Sequence, residues 1–237
     1  MGRWCRGWAR GLCAATLSLV ASAALAGDRP FLATSSAAAE EDDDAMWALE
    51  TAFQRTGPQR ELSVAVEYAF DPVNAIQFEF ARSRDHTLRE TAQGASIEFK
   101  HLFNHIARDG YGVGVIVAAD FARAASAGWR GDAWSVVLPF TLQLGTGAGL
   151  LHANVGLVKP RDAARQWTTS LAVEREVARR TVLFAELARE ADARLVHGGV
   201  RYWVQREKLA VDLSLLQSRS EGQRRHGLVL GLGWHDL

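Results

Sequence analysis

From Met46 to Trp234 the chain alternates apolar and polar residues with a period of two. The clearest stretch is Tyr111-Gly-Val113-Gly-Val115-Ile-Val117-Ala-Ala119-Asp-Phe121. It resumes as Trp134-Ser-Val136-Val-Leu138-Pro-Phe140-Thr-Leu142-Gln-Leu144. A period of two is a strand signal. Small and polar residues on one face, with large apolar ones on the other, fit strands with lipid or core outside and a polar interior. The pattern predicts twelve strands, near 46–54, 61–70, 74–83, 94–102, 111–122, 133–144, 150–158, 166–176, 180–189, 194–204, 208–217 and 226–235. Each approaches the roughly 9–11 residues that a tilted strand needs to cross a bilayer.

The two phases divide the side chains sharply. One carries Leu62, Val64, Val66, Phe78, Phe80, Phe140, Leu171, Leu213 and Leu230. The other carries the residues expected to line a lumen: Glu67, Gln77, Glu79, Glu98, Lys100, Asp120, Gln143, His152, Asn154, Glu174, Glu186, His197, Arg201 and Asp212. In an open sandwich that second phase could face water, so alternation alone leaves two architectures. The aromatic residues separate them. Trp47, Tyr68, Phe70, Tyr111, Tyr202 and Trp234 gather near one set of strand ends on the apolar phase. Phe53, Phe121, Trp134 and Trp167 gather near the other, while Phe184 and Trp203 fall on the inner phase. Two aromatic girdles around an aliphatic belt are the signature of a membrane-spanning barrel. The expected fold is therefore all-β: an antiparallel transmembrane β-barrel of about twelve strands. The gaps between predicted strands are longer at the outer end than at the periplasmic end, as such barrels require. Pro139 cannot donate to a ladder and predicts a bulge or kink.

The first 26 residues stand apart. Arg3, Arg6 and Arg10 precede an apolar run that ends in Ala24-Leu25-Ala26, the layout of a cleaved signal peptide. Its removal takes both cysteines, Cys5 and Cys13, and with them disulfides and thiolate metal sites. Without those three arginines, 24 basic residues face 27 acidic ones, a net charge of −3, which disfavours nucleic acid as a partner. Residues 27–45 have no period and end in Glu40, Glu41, Asp42, Asp43 and Asp44. They read as a solvated acidic leader on the periplasmic side, or as a segment entering the barrel mouth with Phe31 as its anchor. The barrel then occupies residues 46–237 in the outer membrane of a Gram-negative bacterium. Its expected partners are outer-membrane lipids, small-molecule solutes and, during biogenesis, the barrel-assembly machinery.

Candidate chemistry is sparse. The histidines form no H-E-x-x-H pair, no G-x-S-x-G occurs, and the acidic run lacks the spacing and turn glycine of an EF-hand loop. No cofactor, metal site or catalytic residue is predicted. Two other readings stay open: a membrane-embedded hydrolase built from His152, Asn154 and a lumen serine, and a structural or adhesive barrel with a filled lumen. The inner carboxylates facing Lys100, Arg201 and His197 either brace the wall as ion pairs or form a charged constriction that selects solutes.

Asp28-Arg29-Pro30-Phe31-Leu32-Ala33-Thr34, then an acidic stretch and a first strand containing Glu50, resembles the leader of a family of short bacterial outer-membrane barrels. That family is labelled as transporters of the meta-pathway of phenol degradation. Phe99-Lys100 resembles the basic residue that follows an apolar strand in the same family. Ser35-Ser36 depart from the acidic residues usual there. The resemblance implies an all-β barrel and solute transport across the outer membrane: a porin-like channel or transporter and not an enzyme.

Overall fold

The structure is a computed structural model that describes residues 30–38, 46–124, 128–145, 149–220 and 222–235. The expected signal peptide and the acidic run from Glu40 to Asp44 lie outside the described residues. Twelve strands follow one another: β1 (Met46–Thr56), β2 (Gln59–Asp71), β3 (Asn74–Asp85), β4 (Glu90–Leu102), β5 (Tyr111–Ala124), β6 (Arg130–Leu144), β7 (Gly149–Pro160), β8 (Gln166–Ala178), β9 (Thr181–Glu190), β10 (Ala193–Gln205), β11 (Leu209–Ser220) and β12 (Gln223–Trp234). Each pairs antiparallel with its sequence neighbours, and β1 pairs with β12 from Leu49↔Trp234 to Thr56↔Gly227, closing the barrel. Among the described residues one short helix, α1 (Ile106–Asp109), sits in the β4–β5 connection and ends on Gly110 at φ 76°. We call the mouth where β1 begins and β12 ends the lower mouth.

Alternation drives this arrangement because successive side chains leave a strand on opposite faces. Along β2, Ser63, Ala65, Glu67 and Ala69 are buried while Leu62, Val64 and Phe70 are exposed. Along β11, Ala210, Asp212, Ser214 and Leu216 are buried while Val211, Leu213 and Leu215 are exposed. The exposed aliphatic belt carries the predicted rings. Trp47, Tyr68, Tyr111, Tyr202 and Trp234 lie toward the lower mouth; Trp134 and Trp167 lie toward the upper one. Neighbouring strands bring several of these rings together: Trp47 and Tyr68 have centroids 4.6 Å apart, and Tyr111 and Phe140 6.3 Å.

Three expectations need correction. The upper connections are not longer than the lower ones. They separate strands by two, four, five, five, two and two residues, against two, eight, four, two and three below. The ladder continues through the charged residues beyond the apolar stretch: in Arg82-Ser-Arg84-Asp85, Arg84 lies opposite Arg60 and Asp85 opposite Gln59. Hydropathy marks where a strand leaves an apolar layer, and pairing continues past that point. Pro139 makes no register shift. The β5–β6 ladder skips from Val113↔Phe140 to Ile116↔Val137, so pairing lapses opposite the proline and resumes unshifted. The shift in that ladder lies at Asp120/Phe121. Finally, of the two readings of the leader, residues 30–38 follow the one that enters the barrel and not the solvated one: Pro30, Phe31 and Thr34 to Ala37 are buried inside the barrel.

Leu213 is 49 % exposed on the belt, whereas Gln143, on the inward phase of β6, is exposed at the lower rim. Leu213→Arg is expected to destabilise the barrel by about 2–4 kcal/mol and Gln143→Arg by less than about 1. Urea unfolding in phosphatidylcholine vesicles reads the difference.

Candidate functional site

Register decides which inward side chains meet. On the β2–β5 wall it aligns Glu67, Gln77 and Glu98 in one row, with Glu67 opposite Gln77 and Gln77 opposite Glu98. The next row holds Glu79, Ser96 and Asp120. Lys100 sits beside them, its Nζ 3.7 Å from Glu67 Oε1. Four carboxylates and one ammonium make this wall acidic. Glu98 Oε2 and Gln77 Oε1 are buried without a hydrogen bond from the described residues.

The other wall is more completely paired. Arg201 holds Asp212 through two bonds, Nε to Oδ1 at 2.8 Å and a terminal nitrogen to Oδ2 at 2.9 Å. Its guanidinium carbon lies 5.5 Å from the Trp203 ring centroid. A charged fork that is paired, bidentate and stacked tolerates burial. His152 meets Thr141 Oγ1 at 3.0 Å through Nδ1 and Glu174 at 3.7 Å through Nε2. Glu186 on β9 lies opposite His197 on β10, and Ser214 on β11 lies diagonal to that histidine, opposite Gly199. His197 Nδ1 is 3.1 Å from Glu186 Oε2, and His197 Nε2 is 2.7 Å from Ser214 Oγ.

The leader lies against this second wall. Glu186 accepts from two successive backbone groups, Leu32 N–H at 2.9 Å and Ala33 N–H at 2.8 Å, one on each oxygen. Ser170 Oγ donates to Ala33 O at 3.3 Å. With its amide turned to satisfy both partners, Asn154 donates to Ser35 O at 3.0 Å and accepts from Ser35 N–H at 2.6 Å. Ala37 N–H donates to Thr141 Oγ1 at 2.8 Å near the lower mouth. The Phe31 ring is 1 % exposed, with its centroid 5.1 Å from His152 and 5.8 Å edge-on from Phe184. Leu32 and Ala33 pack on Leu195, Leu216 and Val229. Buried backbone amides need partners; here side chains from β6, β7, β8 and β9 supply them in place of a thirteenth strand.

Of the residues expected to line the lumen, Glu67, Gln77, Glu79, Glu98, Lys100, Asp120, His152, Asn154, Glu174, Glu186, His197, Arg201 and Asp212 are buried on the inner side, and Gln143 sits at the rim. The structure divides them into two groups that phase alone does not separate. The postulated His152–Asn154–serine set does not assemble as a hydrolase: Asn154 engages the leader backbone, and His152 engages Thr141 and Glu174. A Ser–His–carboxylate row forms from Ser214, His197 and Glu186 instead. Sequence reasoning missed Thr141, Gly112 and the backbone of residues 32–37. A backbone amide leaves no trace in a hydropathy pattern. Among the described residues no cluster of three or more His, Cys, Asp or Glu is arranged to hold a metal ion.

No family model and no curated protein matches this sequence. Solved structures do. The chain superimposes on the KdgM porin in complex with disordered oligogalacturonate at TM-score 0.63 and 7 % identity, over 79 % of this chain and 98 % of that one. It superimposes on the NanC porin at TM-score 0.60 and 7 % identity, over 79 % and 98 %. The β domain of the Bordetella autotransporter BrkA gives TM-score 0.53 at 9 % identity, over 82 % and 99 %. This chain has the fold of an outer-membrane β-barrel. At such identities the likeness is one of fold, and nothing finer follows from it.

The Arg201–Asp212 pair sets a testable cost. Arg201→Leu leaves a carboxylate buried without its fork and is expected to cost about 3–5 kcal/mol. Arg201→Leu combined with Asp212→Leu removes both charges and is expected to recover most of that loss in the same urea titration.

Proposed function

We propose that the protein resides in the outer membrane of a Gram-negative bacterium and acts as a porin-like channel or transporter for small solutes. The observation that carries this reading is the closed wall itself, apolar and exposed outside, charged and polar inside. An exposed aliphatic belt of this extent, edged with Trp and Tyr, needs lipid around it. A wall lined with carboxylates suits charged or polar solutes. That two structurally similar proteins, KdgM and NanC, are described as porins supports the same reading. The family resemblance would narrow the solute to the aromatic compounds of the phenol-degradation family, and it rests on Asp28 to Thr34, the first strand with Glu50 and Phe99-Lys100.

Inner acids outnumber inner bases, so the field favours cations. In planar bilayers the native chain is expected to show a reversal potential of cation-selective sign, and Glu98→Gln with Asp120→Asn is expected to reduce the preference. Anion selectivity in the native chain, or no permeation in any form, would count against the proposal. Membrane residence has its own check: recovery with outer membranes, and a heat-dependent shift in gel mobility.

The Ser214–His197–Glu186 row favours a second reading, hydrolysis at a lumen serine. A serine nucleophile hydrogen-bonded to a histidine that a carboxylate orients is the arrangement of acyl-transfer enzymes. Against it, Ser214 is only 3 % exposed. Labelling by a fluorophosphonate that disappears in Ser214→Ala would favour the enzyme. Absence of labelling in a chain that conducts would leave the row as a structural support for Glu186.

A further inference from the structure

The leader is held as a ligand is held. It takes no part in the strand ladders. Its ring fills a pocket of His152, Phe184 and Ala172, and two successive backbone N–H groups meet one carboxylate, one on each oxygen. Glu186 is kept in place from behind by His197, which Ser214 supports in turn. A carboxylate that accepts two parallel donors, one per oxygen, presents the geometry that guanidinium and amidinium groups match best. Gly112 supplies an independent sign that the wall is shaped around this segment. A Cβ there would collide with the Ala37 carbonyl oxygen and lie 2.9 Å from the Ala37 carbonyl carbon.

We propose that the Phe31 pocket and the Glu186 carboxylate together form the barrel's ligand site, with residues 30–38 as its tethered occupant. A solute carrying an aromatic ring and two parallel N–H donors, an arylalkyl guanidine or amidine, enters by displacing the leader. This rests on the porin-like reading for its transport consequence. The seat itself can be tested without it.

The test uses the full chain with Cys5 and Cys13 replaced by Ser and Ala33→Cys as a reporter. In lipid vesicles, a membrane-impermeant maleimide is expected to label Cys at position 33 slowly. Loss of a charge-assisted anchor should raise the rate about tenfold, so Phe31→Ala, Glu186→Gln and Gly112→Leu should each label faster. Gly112→Leu acts from β5, away from the carboxylate, so a folding failure at one position leaves the others informative. Millimolar benzylguanidine is expected to accelerate labelling, and benzyl alcohol is not. Fast labelling without any variant, or rates that the variants leave unchanged, would overturn the seat. No response to benzylguanidine would overturn the ligand class. In bilayers, Ala33→Cys paired with Ser170→Cys is expected to close the barrel when oxidised and to reopen it when reduced. Equal conductance in both states would overturn displacement as the gate while leaving the porin-like reading intact. A silent bilayer for every form, Gly112→Leu included, would remove that reading while the labelling rates still report on the seat.

Discussion

A spanning structure in lipid must satisfy every backbone N–H and C=O within itself, because hydrocarbon offers no partner and each unpaired group costs several kcal/mol. Pairing of β1 with β12 meets that demand by leaving no edge. Everything else follows from closure. Once the wall is a closed ladder, its two faces are sorted by the pleat. The outer face becomes aliphatic with aromatic rims, and the inner face has room only for what is small or polar.

Closure also raises a problem inside. Twelve strands enclose more space than the eight whose side chains just fill a barrel, and less than the sixteen of an open porin. Charges in a confined space must be paired or wet. One half of this lumen meets that requirement by pairing: Arg201 with Asp212, and His197 and Ser214 behind Glu186. There the remaining acceptors take the backbone of residues 32–37. The other half, from β2 to β5, carries Glu67, Glu79, Glu98 and Asp120, of which Glu67 pairs with Lys100. The barrel is asymmetric about its axis, with a bound segment along one side and a run of acids along the other.

Much of this was legible in the chain. The period of two gave the strands, and the charged phase gave the inner face, from Glu67 through Asp212. Trp47 and Trp234 lie exposed at strand ends near the lower mouth, on the outward phase. What could not be read depends on pairing between distant residues. Glu186, His197 and Ser214 share a phase, yet only register across three strands brings them within hydrogen-bonding distance. For the leader, Phe31 as an anchor in the barrel mouth was one of two readings open, and the contacts that decide between them were illegible for a different reason. Its contacts run through backbone amides and through Gly112, whose significance is the absence of a side chain. Loop length misled because charge marks where water begins, whereas Arg84 and Asp85 keep pairing in water.

The brevity of the upper connections has a mechanical result. A constriction can be made by a loop that folds back into the barrel, and that needs reach. Five residues fully extended span at most about 18 Å, and a connection must spend that length going out and returning. Two-residue turns, such as the one between β1 and β2, have none to spare. Among the described residues the upper connections are therefore too short to narrow this lumen, and a constriction is left to the wall or to a segment from the lower mouth.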